Sequence, residues 1–104
     1  MPVLEITPER FAEITADPTR TVLVKFYADW CGPCRQFAPI LAKFASEHPE
    51  ITVAEMNVEA PENQTLMAKL EITAIPTIML FRHGKLMQRR SGFLNQGDLA
   101  ALKI

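Results

Sequence analysis

With 104 residues, 48% of them hydrophobic and 22% charged, the chain is sized and composed for one globular unit over residues 1–104, not for a disordered tract. Its formal net charge of -1 gives no electrostatic reason to expect nucleic acid or an anionic membrane as partner. No apolar run approaches the roughly 20 residues of a membrane-spanning helix. Met1-Pro2-Val3-Leu4-Glu5 also lacks the basic start and apolar stretch of a secretory signal, so a cytoplasmic location is expected; the protein is separately expected to act as a monomer.

In chain order, Val3 to Ile6 suits a short edge strand. Thr7-Pro8 then reads as N-cap and first helical residue, with Phe11 and Ile14 on the inner side of a short helix. After the loop Asp17-Pro18-Thr19, the nearly continuous apolar run Thr21 to Tyr27 fits a strand buried on both faces. Phe37, Ile40, Leu41 and Phe44 recur at helical spacing until His48-Pro49 stops them, and Pro39 inside this run implies a kink. Ile51 to Val58 is a second buried strand, so strand, helix and strand make a βαβ unit.

Pro61 to Leu70 reads as a helix with Leu66, Met67 and Leu70 on one side. Thr77 to Phe81 and Leu86 to Arg90 are short strands joined through Arg82-His83-Gly84-Lys85, where Gly84 supplies a residue at positive φ. Leu94 to Leu102 closes the chain as a short helix. The pattern predicts an α/β fold, a mixed sheet of about five strands flanked by about four helices on both faces.

The only two cysteines, Cys31 and Cys34, stand three positions apart. A chain with a core of this size needs no staple, and so short a disulfide loop restricts the unfolded chain little, so the pair points to chemistry. It falls where the first central strand ends and a helix begins. Unpaired N–H groups and the helix dipole favour negative charge there, hence the reactive thiolate. Cys31, at the leading position, is expected to be exposed and nucleophilic; Cys34, one turn further in, is expected to be more buried and to act as the resolving thiol. Pro33 pre-sets φ, and Gly32 leaves the approach to the sulfurs unobstructed. Structural zinc is not expected, because four ligands are needed and the two histidines, His48 and His83, lie at helix-end and turn positions without ligand spacing. Both read as surface residues. The five methionines read as core filler, and Arg89-Arg90 as a solvated strand end.

The segment Phe26-Tyr27-Ala28-Asp29-Trp30-Cys31-Gly32-Pro33-Cys34 closely resembles the active-site segment of the thioredoxin family. The resemblance extends through Ala38-Pro39-Ile40-Leu41, Ala74-Ile75-Pro76-Thr77, Phe81 to Lys85 and Ser91-Gly92-Phe93, and so covers nearly the whole chain. It implies the thioredoxin fold and a thiol–disulfide oxidoreductase that reduces protein disulfides, with no bound cofactor. Electrons would arrive from NADPH through a thioredoxin reductase and pass to disulfide-containing proteins such as ribonucleotide reductase, peroxiredoxins or methionine sulfoxide reductases. It further implies a cis bond before Pro76, and a substrate groove formed by Trp30, Gly32, Pro33, Ile75, Pro76 and Gly92. Two other readings, a specialised disulfide oxidant or isomerase and a thioredoxin-like binding subunit, stand beside it.

The chain departs from the family pattern in two places. Lys25 stands in the buried strand where most thioredoxins carry an aspartate, and Glu55 stands where the partner lysine is usual. A lone buried ammonium is costly, so the two are expected to pair with their charges exchanged and to tune proton transfer at Cys34. Between Val58 and Ile75 the chain is about two residues longer than the common spacing, and Glu71 replaces a usual glycine.

Overall fold

The computed structural model describes residues 3–102. Five strands, β1 (Val3–Glu5), β2 (Thr21–Tyr27), β3 (Thr52–Asn57), β4 (Thr77–Arg82) and β5 (Lys85–Ser91), form one sheet in the order β1-β3-β2-β4-β5. β1 and β2 run parallel to β3, while β4 is antiparallel to both β2 and β5, giving the expected mixed sheet. The helices are α1 (Pro8–Thr15), α2 (Gly32–Glu47), α3 (Gln64–Lys69) and α4 (Gln96–Ala100).

Strand alternation divides the core in two. Leu23, Val53, Ile78 and Leu80 pack with Phe37, Leu41 and Phe44 of α2 and Leu99 of α4. From the other face Val22, Val24, Phe26, Ala54, Met56 and Met79 pack with Phe11 and Ile14 of α1 and Met67 of α3. The methionines Met56, Met67 and Met79 are thus core residues, whereas Met87 is exposed on β5.

Several boundaries differ from the sequence expectation. The predicted helix over 61–70 is divided into a 3-10 turn at Pro61–Asn63 and α3, which ends at Lys69 with Leu70 as its C-cap. Glu71 follows at φ 54; its N–H donates to the Ala68 carbonyl and that of Ile72 to the Met67 carbonyl. This is the helix termination that ordinarily takes a glycine, here made with a glutamate. α4 starts two residues later than Leu94 because Asn95 caps it: the Asn95 side chain accepts from the Asp98 N–H, and the Asp98 carboxylate from the Asn95 N–H.

The β4–β5 hairpin is tighter than expected, a two-residue turn of His83 (φ 54) and Gly84 (φ 82) between paired Arg82 and Lys85. A Cβ on Gly84 would come within 2.9 Å of the Ala16 carbonyl oxygen, so both the positive φ and the close approach require glycine. His83 is exposed, and its Nδ1 lies 3.0 Å from the Pro18 carbonyl oxygen, fastening the turn to the α1–β2 loop.

Candidate functional site

The site lies at the C-terminal end of β2, where the chain turns directly into α2. Cys31 is the N-cap of α2 and Cys34 its third residue. The two are joined as a disulfide, with Cα atoms 5.2 Å apart. The Cys34 N–H, one of the donors left unpaired by the helix start, points at Cys31 Sγ at 3.2 Å. The helix therefore offers a hydrogen bond and the positive end of its dipole to the leading sulfur. Pro33 sits in the first turn, where its missing N–H costs no intrahelical bond.

The expected contrast in exposure between the cysteines is not observed. Cys31 and Cys34 are both 3% exposed, packed with Ala28 and flanked by Tyr27, Val58 and Ile75. Cys31 Sγ lies 4.0 Å from the Ile75 carbonyl oxygen. Position on the helix distinguishes the two sulfurs, not exposure of the oxidised pair.

The surrounding residues form a rim. Trp30 is 65% exposed, and its indole N–H donates to Glu59 at 2.7 Å. Sequence reasoning missed Glu59, since nothing local connects it to a tryptophan 29 positions earlier. Pro33 is exposed, and a Cβ on Gly32 would meet nothing within 4 Å, leaving open space above the sulfurs. Ile75-Pro76 is a cis peptide. Ile75 is half-buried against the cysteines, whereas the Pro76 side chain is buried, so Pro76 lies beneath the rim and is not an open groove wall. Its carbonyl accepts the Gly92 N–H at 2.8 Å, attaching exposed Gly92 (φ 93) to this loop. Thr77 braces the same loop, donating to the Ala74 carbonyl at 2.5 Å and lying 3.0 Å from Ser91 Oγ.

Lys25 and Glu55 are register partners on β2 and β3, and Lys25 Nζ lies 2.9 Å from Glu55 Oε1. The side chains are 4% and 26% exposed, so the cation is the buried member. The ammonium also stands 5.0 Å from the centre of the Tyr27 ring. Lys25, Glu55 and Tyr27 line one pocket together with Cys34, Ala28, Asp29, Arg35 and Ala38, which puts the pair on the side of the resolving sulfur. Tyr27 donates to Glu5 of β1 at 2.6 Å. Glu5 as a residue is exposed, but desolvation of its carboxyl raises its pKa against the opposing Tyr27 hydrogen bond, with Glu55 adding to the rise. Burial, then the bond to Glu5, pushes the Tyr27 phenol well above its ordinary value.

Arg89 is exposed, as expected, but is not free: it grips the end of α3. Its guanidinium donates to the Leu70 carbonyl at 2.6 Å and the Glu71 carbonyl at 2.5 Å. Arg90 remains exposed. Among the described residues no group of His, Cys, Asp and Glu is placed to hold a metal ion.

A disulfide-forming cysteine pair capping a helix at a strand end, beside an exposed tryptophan and a cis-proline loop, defines a thiol–disulfide oxidoreductase. The family model described as Thioredoxin matches residues 2–103, and the chain belongs to the thioredoxin family. It is 36% identical over 100 residues to the thioredoxin of Acidithiobacillus ferridurans, covering 95% of this chain and 91% of that one. Among solved structures it is similar to thioredoxin f2 of Chlamydomonas reinhardtii, with a TM-score of 0.86 and 29% identity over 96% of this chain and 92% of that one. The oxidised mitochondrial thioredoxin 3 of Saccharomyces cerevisiae is similar with a TM-score of 0.77 and 27% identity, over 86% of this chain and 83% of that one.

Proposed function

We propose that the chain is a cytoplasmic electron carrier that reduces protein disulfides, taking electrons from NADPH through a thioredoxin reductase. The observation that carries this reading is the Cys34 N–H directed at Cys31 Sγ at the start of α2. In the reduced protein the same donor stabilises the Cys31 thiolate. That thiolate attacks one sulfur of a substrate disulfide, forming a mixed disulfide and expelling the other substrate sulfur as thiolate. Cys34, once deprotonated, attacks Cys31 Sγ; the internal disulfide forms and the second substrate thiolate leaves, so two electrons have passed to the substrate.

Trp30, Gly32, Pro33, Ile75 and Gly92 form the groove that receives the substrate polypeptide, and buried Pro76 shapes it from beneath. Exposed backbone beside the cis-proline loop pairs with an extended segment without demanding one sequence. Lys25 favours the Cys34 thiolate by its charge, and Glu55, at the more open end of the pair, takes up the proton directly or through water. Ribonucleotide reductase, peroxiredoxins and methionine sulfoxide reductases are the expected classes of acceptor.

The test is an NADPH-coupled insulin reduction assay with a thioredoxin reductase. Wild type should turn over, and Cys31→Ser should abolish turnover. Full activity of Cys31→Ser would refute the assignment of the nucleophile. Lys25→Met and Glu55→Gln should each alter the pH profile, and differently; two profiles identical to wild type would refute the role of the pair.

A further inference from the structure

The near-zero net charge conceals a strong asymmetry. Between Ile72 and Gly97 stand Arg82, Lys85, Arg89 and Arg90 and no acidic residue, so all 12 acidic residues lie elsewhere in the chain. This stretch is β4, β5 and their flanks. Within the sheet β5 pairs only with β4, which leaves its outer edge open. Three of the large apolar side chains that the protein exposes, Leu86, Met87 and Phe93, lie on or just beyond β5. A register shift between Leu80 and Phe81 accommodates an extra residue on β5 opposite them. An open strand edge with exposed apolar side chains and one sign of charge is suited to taking up another strand, and its lysine and arginines oppose self-pairing.

The edge also leads to the disulfide. β5 ends at Ser91, and the next residue, Gly92, is bonded to Pro76, whose neighbour Ile75 packs on the cysteines. A chain segment lying along β5 therefore continues into the rim of the site.

We propose that β5 is a docking edge for extended, acidic segments with alternating apolar residues, located beside the disulfide of the substrate. Lys85 and Arg90 supply the charge, Leu86, Met87 and Phe93 the apolar contacts, and the strand backbone the pairing. Arg89 is occupied by the Leu70 and Glu71 carbonyls and contributes charge without a free fork. The proposal rests on the disulfide-reductase reading and adds to it a substrate class selected by charge.

The experiment uses synthetic peptides sharing one disulfide-closed loop and differing in the flanks on both sides: alternating Glu-Val, Ser-Val or Lys-Val. Second-order rate constants for their reduction by the reduced protein should follow the order Glu, Ser, Lys. The span should be about fivefold at low ionic strength and should collapse toward unity near about 0.5 M salt. In K85E/R90E the order should invert, while the rate with a small uncharged disulfide stays unchanged. Alternate N-methylation of the Glu-Val flanks should bring that peptide down to the Ser-Val rate. Equal rates for the three peptides, a preference that survives charge reversal, or indifference to N-methylation would overturn the proposal. So would a dimer in sedimentation that K85E/R90E dissociates, since a second copy would then own the edge. If no peptide is reduced whatever its flanks, the reductase reading itself fails and the docking edge falls with it.

Discussion

The Lys25–Glu55 pair yields an asymmetric stability prediction. Lys25 is 4% exposed and Glu55 26%, so the two partners stand in different surroundings when stranded. Glu55→Gln leaves a buried ammonium with the Tyr27 ring and a weaker amide oxygen for company. Breaking a buried pair costs on the order of 3–5 kcal/mol; the partial exposure of Glu55 and the ring contact reduce this to about 2–3 kcal/mol. Lys25→Met keeps an unbranched apolar stem in the same space and leaves a carboxylate that reaches water, so its cost is expected below about 1 kcal/mol. In the double variant no buried charge remains, and stability should recover to within about 1 kcal/mol of wild type. Urea unfolding of the oxidised proteins at neutral pH measures all three. With a slope of about 1–3 kcal/mol per molar, Glu55→Gln should lower the midpoint by about 0.7–3 M. Equal losses in the two single variants, or a double variant no better than Glu55→Gln, would refute the argument from burial.

Three further outcomes follow from local geometry. Glu71→Gly should stabilise the protein by about 0.5–1 kcal/mol, because glutamate at φ 54 carries a steric penalty that glycine lacks; a lower melting temperature would contradict it. Gly84→Ala should destabilise by about 1–3 kcal/mol through its φ of 82 and the clash with the Ala16 carbonyl, read by the same melts. Because the folded protein holds the Tyr27 proton to higher pH than the unfolded chain does, stability should fall as pH rises above about 10. Tyr27→Phe should lessen that alkaline slope, and an unaltered slope between pH 9 and 11, roughly the range around the tyrosine pKa, would show that the phenol is not its source.

Features legible in the sequence are those written within a few residues. The chain order of strands and helices and the mixed α/β class follow from hydrophobic runs and their punctuation, the thioredoxin fold from the family resemblance, and the cysteine pair from its place between an apolar strand and a helix. Gly84 was readable because a two-strand turn demands positive φ. The Lys25–Glu55 pairing was legible through the family resemblance, and the register of β2 against β3 bears out the contact. Helix ends are less legible: Asn95 and Asp98 form a capping box at the spacing that signals one, yet the apolar pattern alone carries the helix back to Leu94.

By itself, then, the sequence determined the fold class, the redox pair and the helix terminus that activates it, because periodicity and capping act over one or two turns of chain. Tertiary structure alone decided that Cys31 is as buried as Cys34 in the disulfide, that Glu59 holds Trp30, and that Arg89 closes the end of α3. Those contacts join residues 18 to 44 positions apart. No local pattern encodes them, since they arise only when the sheet order β1-β3-β2-β4-β5 brings distant strands and loops together.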